Sequence, residues 1–340
     1  MAKSGVRVVI TGVGSHWGSE LARALERDPG VSHLAGIDTV APKADLGRTE
    51  LLEADIRNPV ISRILPPLEP DVLVHCGIVW YPEPDKPARA LHDINVIGTL
   101  QLLAACEKCE GLRAVVARGS AAIYGSEGSA PGFFTEDMAR RYPQKTRFQR
   151  DIGELEGYFE NFSRRHPQVT CTMLRFQPEI GPGLDQPLAR YLSLPVVPTQ
   201  LGFDPRLQLL HEEDSIGALA AAVRNPVRGP VNVAPDGTIS LTKILRLAGR
   251  PTVPVPHQIA GPVLSRLGRS LGAADLYNDG ILLLRYGRGC DNTRLKRDVG
   301  FEPRFDAEGA IRDFVAKTGA RGRLIPFPHA GAVRGRVVGR

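Results

Sequence analysis

Cysteine is scarce and badly placed for cross-linking. Cys76, Cys106, Cys109, Cys171 and Cys290 are odd in number and widely scattered, which argues against a secreted disulfide framework. Long apolar runs are missing as well. Stretches such as Leu219–Val223 and Ile281–Leu284 are far too short to cross a bilayer, and Met1–Ile10 lacks a charged-then-apolar export pattern, so a cytoplasmic location is expected. Lysine stands at only eight positions, a compositional bias. Carboxylates are absent from Lys317 onward, where Lys317, Arg321, Arg323, Arg334, Arg336 and Arg340 all fall, so the formal net charge of +6 belongs to the tail and the body is balanced. Such a tail, 321–340, reads as a solvated, frayed terminus; nucleic acid is not the expected partner.

What is present is ordinary for a globular protein: 42% hydrophobic and 24% charged residues over 340 positions, enough for a sizeable core. Cys106-Glu107-Lys108-Cys109 has C-x-x-C spacing. It lies inside a helical pattern with no second Cys or His pair at metal spacing, so it reads as two buried thiols on one helix face, and no metal is expected.

The first half alternates β-rich runs with helical stretches. Strands are expected at Arg7–Thr11, Leu34–Asp38, Asp71–Cys76, Arg113–Arg118 and Thr170–Phe176, and helices at Ser19–Arg27, Val60–Leu65, Ile94–Cys109 and Lys145–Arg165. Parallel strands need crossovers, and the crossovers cover both faces, so the rhythm predicts an α/β fold with a doubly wound parallel sheet of the Rossmann type. After Gly181-Pro182-Gly183 prolines and glycines thicken. Residues 1–176 are read as a dinucleotide-binding domain whose sheet is completed by about 207–233, and 177–320 mostly as a smaller, interleaved substrate region.

Val6–Ile10 runs into Thr11-Gly12-Val13-Gly14-Ser15-His16-Trp17-Gly18 and then a helix. Exposed N–H groups and the positive helix end make this turn a place for a pyrophosphate, with Gly12, Gly14, Ser15 and Gly18 as candidate contacts. Asp38 ends the second strand at the spacing where a carboxylate takes the adenosine ribose hydroxyls. It would repel a 2′-phosphate, so NAD is expected over NADP.

Further segments strengthen the pattern: Asp55-Ile56-Arg57, Val74-His75-Cys76-Gly77, Asn95-Val96-Ile97-Gly98-Thr99, Ser120-Ala121-Ala122-Ile123-Tyr124-Gly125, Leu174-Arg175, Ile180-Gly181-Pro182-Gly183 and Leu210-His211-Glu212-Glu213-Asp214. Together they resemble the extended short-chain dehydrogenases of the NAD-dependent epimerase/dehydratase group, over about residues 5–315. More narrowly, Glu53–Pro59, Leu207–Ala218 and Leu284–Phe301 resemble actinobacterial UDP-glucose 4-epimerase-like proteins. The resemblance implies adenine-side contacts from Asp55 and Ile56, cofactor contacts from His75, Gly77 and Asn95, and a catalytic Ser120. It also implies a homodimer packed through the helices at 94–109 and 145–165, and a nucleotide-sugar or related secondary alcohol as substrate.

In that family a Tyr, with a Lys four residues later, works beside the Ser. Counting back from Glu156 and His166-Pro167, these positions fall on Phe148 and Ile152, neither of which exchanges a proton. Phe148, Ile152, Leu155, Phe159 and Phe162 recur as one apolar helix face, a core or dimer contact. Asp151, three residues from Phe148, is the candidate substitute acid/base. Pro178 stands where many nucleotide-sugar enzymes of the family carry Asn, and Arg175 and Arg206 are the candidate substrate-anion contacts. The sequence therefore leaves two readings: an NAD-dependent epimerase/dehydratase-type enzyme, or an NAD-binding regulatory or sensor protein that no longer catalyses.

Overall fold

A computed structural model describes residues 5–81, 88–139, 141–256, 258–260, 262–263, 266 and 279–318. The basic tail at 321–340 lies outside the described residues. In chain order the first part comprises β1 Val6–Thr11, α1 His16–Glu26, β2 Val31–Asp38, β3 Glu50–Glu53, α2 Ile61–Ile64 and β4 Val72–His75. It continues with α3 Ala88–His92, α4 Gly98–Cys106, β5 Ala114–Ser120, α5 Arg147–Arg165 and β6 Thr170–Phe176. The apolar runs form the strands because both faces of a parallel sheet are covered: β4 and β5 are buried at every position.

With a later strand, β11 at Gly229–Val233, seven strands pair in the order β11-β6-β5-β4-β1-β2-β3, all parallel. The strand order reverses between β1 and β4, and the carboxyl ends of those two strands open the crevice where doubly wound folds hold ligands. The edge strand β3 was not expected from the sequence. Its Glu-Leu-Leu-Glu is short, mostly exposed and carries little apolar pattern, so it forms only because β2 offers it a partner.

The remaining elements are β7 Glu179–Ile180, α6 Pro187–Leu192, β8 Val197–Gln200, β9 Arg206–Leu207, β10 Leu210–His211, α7 Glu212–Arg224, β11 Gly229–Val233, β12 Ile239–Ser240, α8 Leu241–Leu247, β13 Thr252–Val255, α9 Asp279–Tyr286 and α10 Ala307–Thr318. Of the stretch 207–233 only β11 enters the main sheet, beside β6. Leu207 pairs with β12 and Leu210–His211 with β7, while α7 lies over β5 and β6 as a covering helix. A second hydrophobic cluster, built from Ile180, Tyr191, Leu207, Ile244, Leu284 and Phe314 among others, gathers this region.

Local chemistry fixes the helix ends. Ser15 accepts from Gly18 N–H and starts α1 three residues earlier than the apolar pattern suggests. Thr146 and Gln149 form a reciprocal capping box that starts α5 at Arg147. The helix expected at 94–109 is broken: a π-turn at Asp93–Ile97 separates α3 from α4.

His75 closes β4 and is fully buried. Thr99 Oγ1 donates to Asn95 O at 2.5 Å, so it can only accept from His75 Nε2–H (3.1 Å), which leaves His75 Nδ1 to accept from Thr11 Oγ1 at 2.8 Å. Burial pushes this imidazole down to about 4 from an ordinary 6.5. The folded state therefore keeps it neutral where the unfolded chain binds a proton, and stability present above pH 6.5 is lost as pH falls toward 4. Between pH 7 and pH 5 the stability gap between wild type and His75→Gln should narrow by about 2 kcal/mol in urea unfolding, whereas an unchanged gap contradicts a neutral buried imidazole.

Candidate active site

The crevice begins where β1 ends. Gly12 takes φ +80°, and a Cβ there would stand 2.4 Å from the backbone N of Gly77 at the end of β4. A Cβ at Gly14 would meet Val40 O at 2.3 Å, and one at Gly18 would meet Gly12 O at 2.2 Å. These glycines are where backbones touch. Ser15 stands at the middle-glycine position because its hydroxyl serves the turn: Oγ donates to Gly12 O at 2.6 Å and accepts from Gly18 N–H at 3.1 Å.

Asp38 reaches across from β2. Its Oδ2 accepts from Gly14 N–H at 2.9 Å and its Oδ1 from Thr39 N–H at 2.7 Å, which ties the glycine turn to the end of the second strand. Asp38, Asp55 and Ile56 line a cavity of about 380 Å³ together with Gly12, Ser15 and Gly77, within the range of small-molecule sites. The Arg57 guanidinium beside Asp55 holds that carboxyl below its usual range, so it stays ionised. The cavity suits a dinucleotide: the Gly12 turn and the start of α1 suit a diphosphate, and Asp38 and Asp55 beside them suit ribose and adenine. These residues fit NAD.

Gly14 and Gly18 do not line this cavity, their N–H groups being taken by Asp38 and Ser15, and neither do His75 and Asn95. His75 is consumed by Thr11 and Thr99, and Asn95 brackets Val79, accepting from its N–H and donating to its C=O, both at 2.8 Å. They hold the end of β4 and its following loop in place.

A second cavity, about 100 Å³, adjoins the first through Trp80 and Tyr81, which line both. Ser120, at the end of β5, faces it with Asp151 and Phe148 of α5. Ser120 Oγ accepts from Ala122 N–H at 3.2 Å, which leaves the hydroxyl proton for another acceptor. Phe148 is part of the cavity wall. Ile152 is fully buried in the main core and does not line the cavity. The apolar face expected on α5 is thus core at Ile152, Leu155, Phe159 and Phe162.

Asp151 is buried, 4% exposed. One oxygen lies 2.9 Å from His92 Nδ1, and the other, Oδ2, has no hydrogen-bond partner. His92 stands on α3, 30% exposed at its side chain, so the pair joins the cavity to the surface. Across the cavity Arg288 pairs with Asp279 at 3.2 Å, and Gln149 donates to the same carboxylate at 2.8 Å.

The structure corrects the assignment of Arg175 to substrate. It is buried between β6 and α5, giving Nε and Nη2 to Glu156 at 3.0 and 2.8 Å and Nη1 to Tyr124 OH and Glu136 O. Burial opposes its charge, but Glu156 overcomes that and holds the guanidinium firmly protonated. Arg206 is exposed, donates Nε to Thr238 Oγ1 at 3.1 Å, and lines a third cavity of about 430 Å³ with Phe203, Arg285, Tyr286 and Arg288. Arg288 borders both this cavity and the Ser120 cavity.

Sequence reasoning missed His92, Trp80, Tyr81, Arg118 and Arg288. His92 is 59 residues from Asp151 and carried no local signal. Arg118 did carry one, a charge inside the otherwise uncharged run Ala114–Ser120. The cysteines all lie buried and unpaired, and burial pushes Cys109 up to about 11 and Cys106 well above the ordinary thiol range. Among the described residues no cluster of His, Cys, Asp and Glu is arranged to hold a metal ion.

Residues 8–234 match the model of the NAD dependent epimerase/dehydratase family. An uncharacterized protein of Mycobacterium tuberculosis is 37% identical over 340 residues, spanning 98% of this chain and 89% of that one. Among solved structures, MoeE5 in complex with UDP-glucuronic acid and NAD superposes with a TM-score of 0.69 at 20% identity, covering 92% of this chain and 99% of MoeE5. The dTDP-glucose 4,6-dehydratase of Bacillus anthracis in complex with NAD gives a TM-score of 0.69 at 14% identity, covering 94% and 98%.

The glycine geometry has a direct consequence. Gly12→Ala should destabilise by ~1–3 kcal/mol, since φ is positive and the obstructing atoms are backbone. Gly111→Ala, where nothing lies within 4 Å, should leave the urea midpoint nearly unchanged. Equal midpoints for the two variants would show that the turn is not closed on β4.

Proposed function

Since the chain belongs to the NAD-dependent epimerase/dehydratase family, we propose that it oxidises or isomerises a nucleotide-sugar or related secondary alcohol, with Ser120 and Asp151 at the reacting hydroxyl. The observation that carries this reading is the Asp151 carboxylate: buried, hydrogen-bonded through one oxygen to His92, unpartnered at the other, and in the same cavity as Ser120. A buried acceptor left without a donor costs on the order of 1–3 kcal/mol, and a substrate hydroxyl is the donor that would answer it.

Gly12, Ser15, Asp38, Asp55, Ile56 and Gly77 hold the cofactor along the crevice. Bound NAD supplies the hydride acceptor. Ser120 donates its hydroxyl proton as a hydrogen bond to the substrate oxygen while accepting from Ala122 N–H. Asp151 Oδ2 takes the hydroxyl proton, and His92, hydrogen-bonded to Oδ1 and partly exposed, holds the carboxyl in place. Phe148 occupies the place of the missing phenol as an apolar wall that limits water. The third cavity supports the nucleotide part of the reading: Arg206, Arg285 and the rings of Phe203 and Tyr286 suit a base and a diphosphate, and Arg288 connects it to the reacting centre.

The second reading, a protein that binds NAD without turnover, draws on Ile152, whose side chain is sealed in the core where the family pattern places a lysine. Either form is read as a homodimer. Ile97 and Leu100 are exposed large apolar residues, and Leu100 shares a surface groove with Leu103, Tyr158 and Asn161 of α4 and α5. No helix among the described residues is long and apolar enough to cross a membrane.

The decisive assay follows NADH formation and sugar products with UDP-glucose and UDP-galactose. Asp151→Asn should lower kcat about 10²–10⁴-fold and Ser120→Ala about 10²-fold, with NAD binding retained. Turnover unaffected by Asp151→Asn removes that residue from the reaction, and absence of turnover in wild type with NAD bound favours the second reading. Light scattering should give twice the chain mass; a monomeric mass contradicts the shared α4–α5 interface.

A further inference from the structure

The chain contains two tryptophans, and both stand at one point of the crevice. Trp17 lies in the first turn of α1, on the β1 side, and Trp80 lies in the loop after β4, on the opposite lip. Between them Arg118 of β5 places its guanidinium carbon 4.3 Å from the Trp17 ring centroid and 4.2 Å from that of Trp80. Arg118 is 2% exposed, and its Nη2 is paired with the fully buried Glu179 at 2.5 Å. The arginine thus bridges the two lips of the strand-order switch point.

Two donors in this bridge are unanswered. Arg118 Nε and Trp80 Nε1 are both buried without an acceptor, although both residues line the dinucleotide crevice. Buried N–H groups of native proteins are almost always satisfied, so these point to an acceptor-bearing ligand. Position says which part of the ligand. Asp38, Asp55 and the Gly12 turn lie on one side, and the Ser120 cavity opens on the other, where Trp80 borders both spaces. A dinucleotide reaching from Asp38 to Ser120 must pass this span.

We propose that Trp17, Arg118 and Trp80 form a gate that sets which nucleotides the crevice accepts. The adenosine diphosphate half seats on the crevice as it stands. The nicotinamide riboside half seats only when the guanidinium leaves the indoles, and its ribose and carboxamide oxygens then receive the free N–H groups of Arg118 and Trp80. The inference rests on reading the crevice as an NAD site and concerns how that site discriminates. The stack is suited to switching because cation–π contact is worth only about tenfold to thirtyfold in an equilibrium once desolvated, while Glu179 keeps the charge paired in either position.

Both indoles report on the gate and no other tryptophan interferes. NAD and ADP are titrated into the full-length protein, following tryptophan emission and, separately, heat. ADP should bind with little change in emission, and NAD should bind with a clear shift or quench. Trp17→Leu, which opens the stack without removing a donor to the ligand, should raise the ratio of NAD to ADP affinity about tenfold. Arg118→Lys, which keeps the charge beside Glu179 but not the flat stack, should move the ratio in the same direction; it guards against misfolding of the first variant. Identical emission responses to NAD and ADP, or a ratio unmoved in both variants, overturns the gate while leaving the crevice reading intact. Uptake of neither nucleotide overturns both.

Discussion

The backbone of the β1–α1 turn lies directly against the backbone at the end of β4, and the site depends on that approach. At Gly12 and Gly77 the two segments come so close that no Cβ fits on Gly12. Asp38 fixes the turn from the other side by accepting from Gly14 N–H, and Ser15 caps the helix that follows. The result is a groove lined by Gly12, Ser15, Asp38 and Gly77. His75, Thr11, Thr99 and Asn95 reinforce it from below with an internal hydrogen-bond chain that reaches the Val79 backbone.

Around the groove, buried charges come in pairs. Arg118 faces Glu179, Arg288 faces Asp279, and Arg175 faces Glu156. Ionised groups this deep persist only when partnered, and truncating one member would strand the other. Four buried atoms without a hydrogen-bond partner, Asp151 Oδ2, Arg118 Nε, Trp80 Nε1 and Arg288 Nε, belong to residues bordering the two adjoining cavities.

Much of the architecture was legible in the chain because parallel strands buried on both faces must be continuous apolar runs; β1, β2, β4, β5 and β6 announce themselves that way. The glycine turn and Asp38 were legible because their spacing is a backbone requirement. Less was visible where structure depends on distant partners. β3 has an exposed Glu-Leu-Leu-Glu sequence and exists by pairing with β2. Arg175 looked available until Glu156, nineteen residues earlier, was seen to take its guanidinium bidentately. Asp151 could be nominated from its offset to Phe148, but its partner His92 comes from another helix, and no local pattern joins them.

The central claim is that a dinucleotide lies along this groove with its adenosine ribose at Asp38. Calorimetry comparing NAD with NADP tests it most directly, because the two differ only by a phosphate on that ribose. The account predicts that NAD is taken up and that NADP binds far more weakly, repelled by the Asp38 carboxylate. Failure to take up NAD, or NADP binding as tight as NAD, would contradict it.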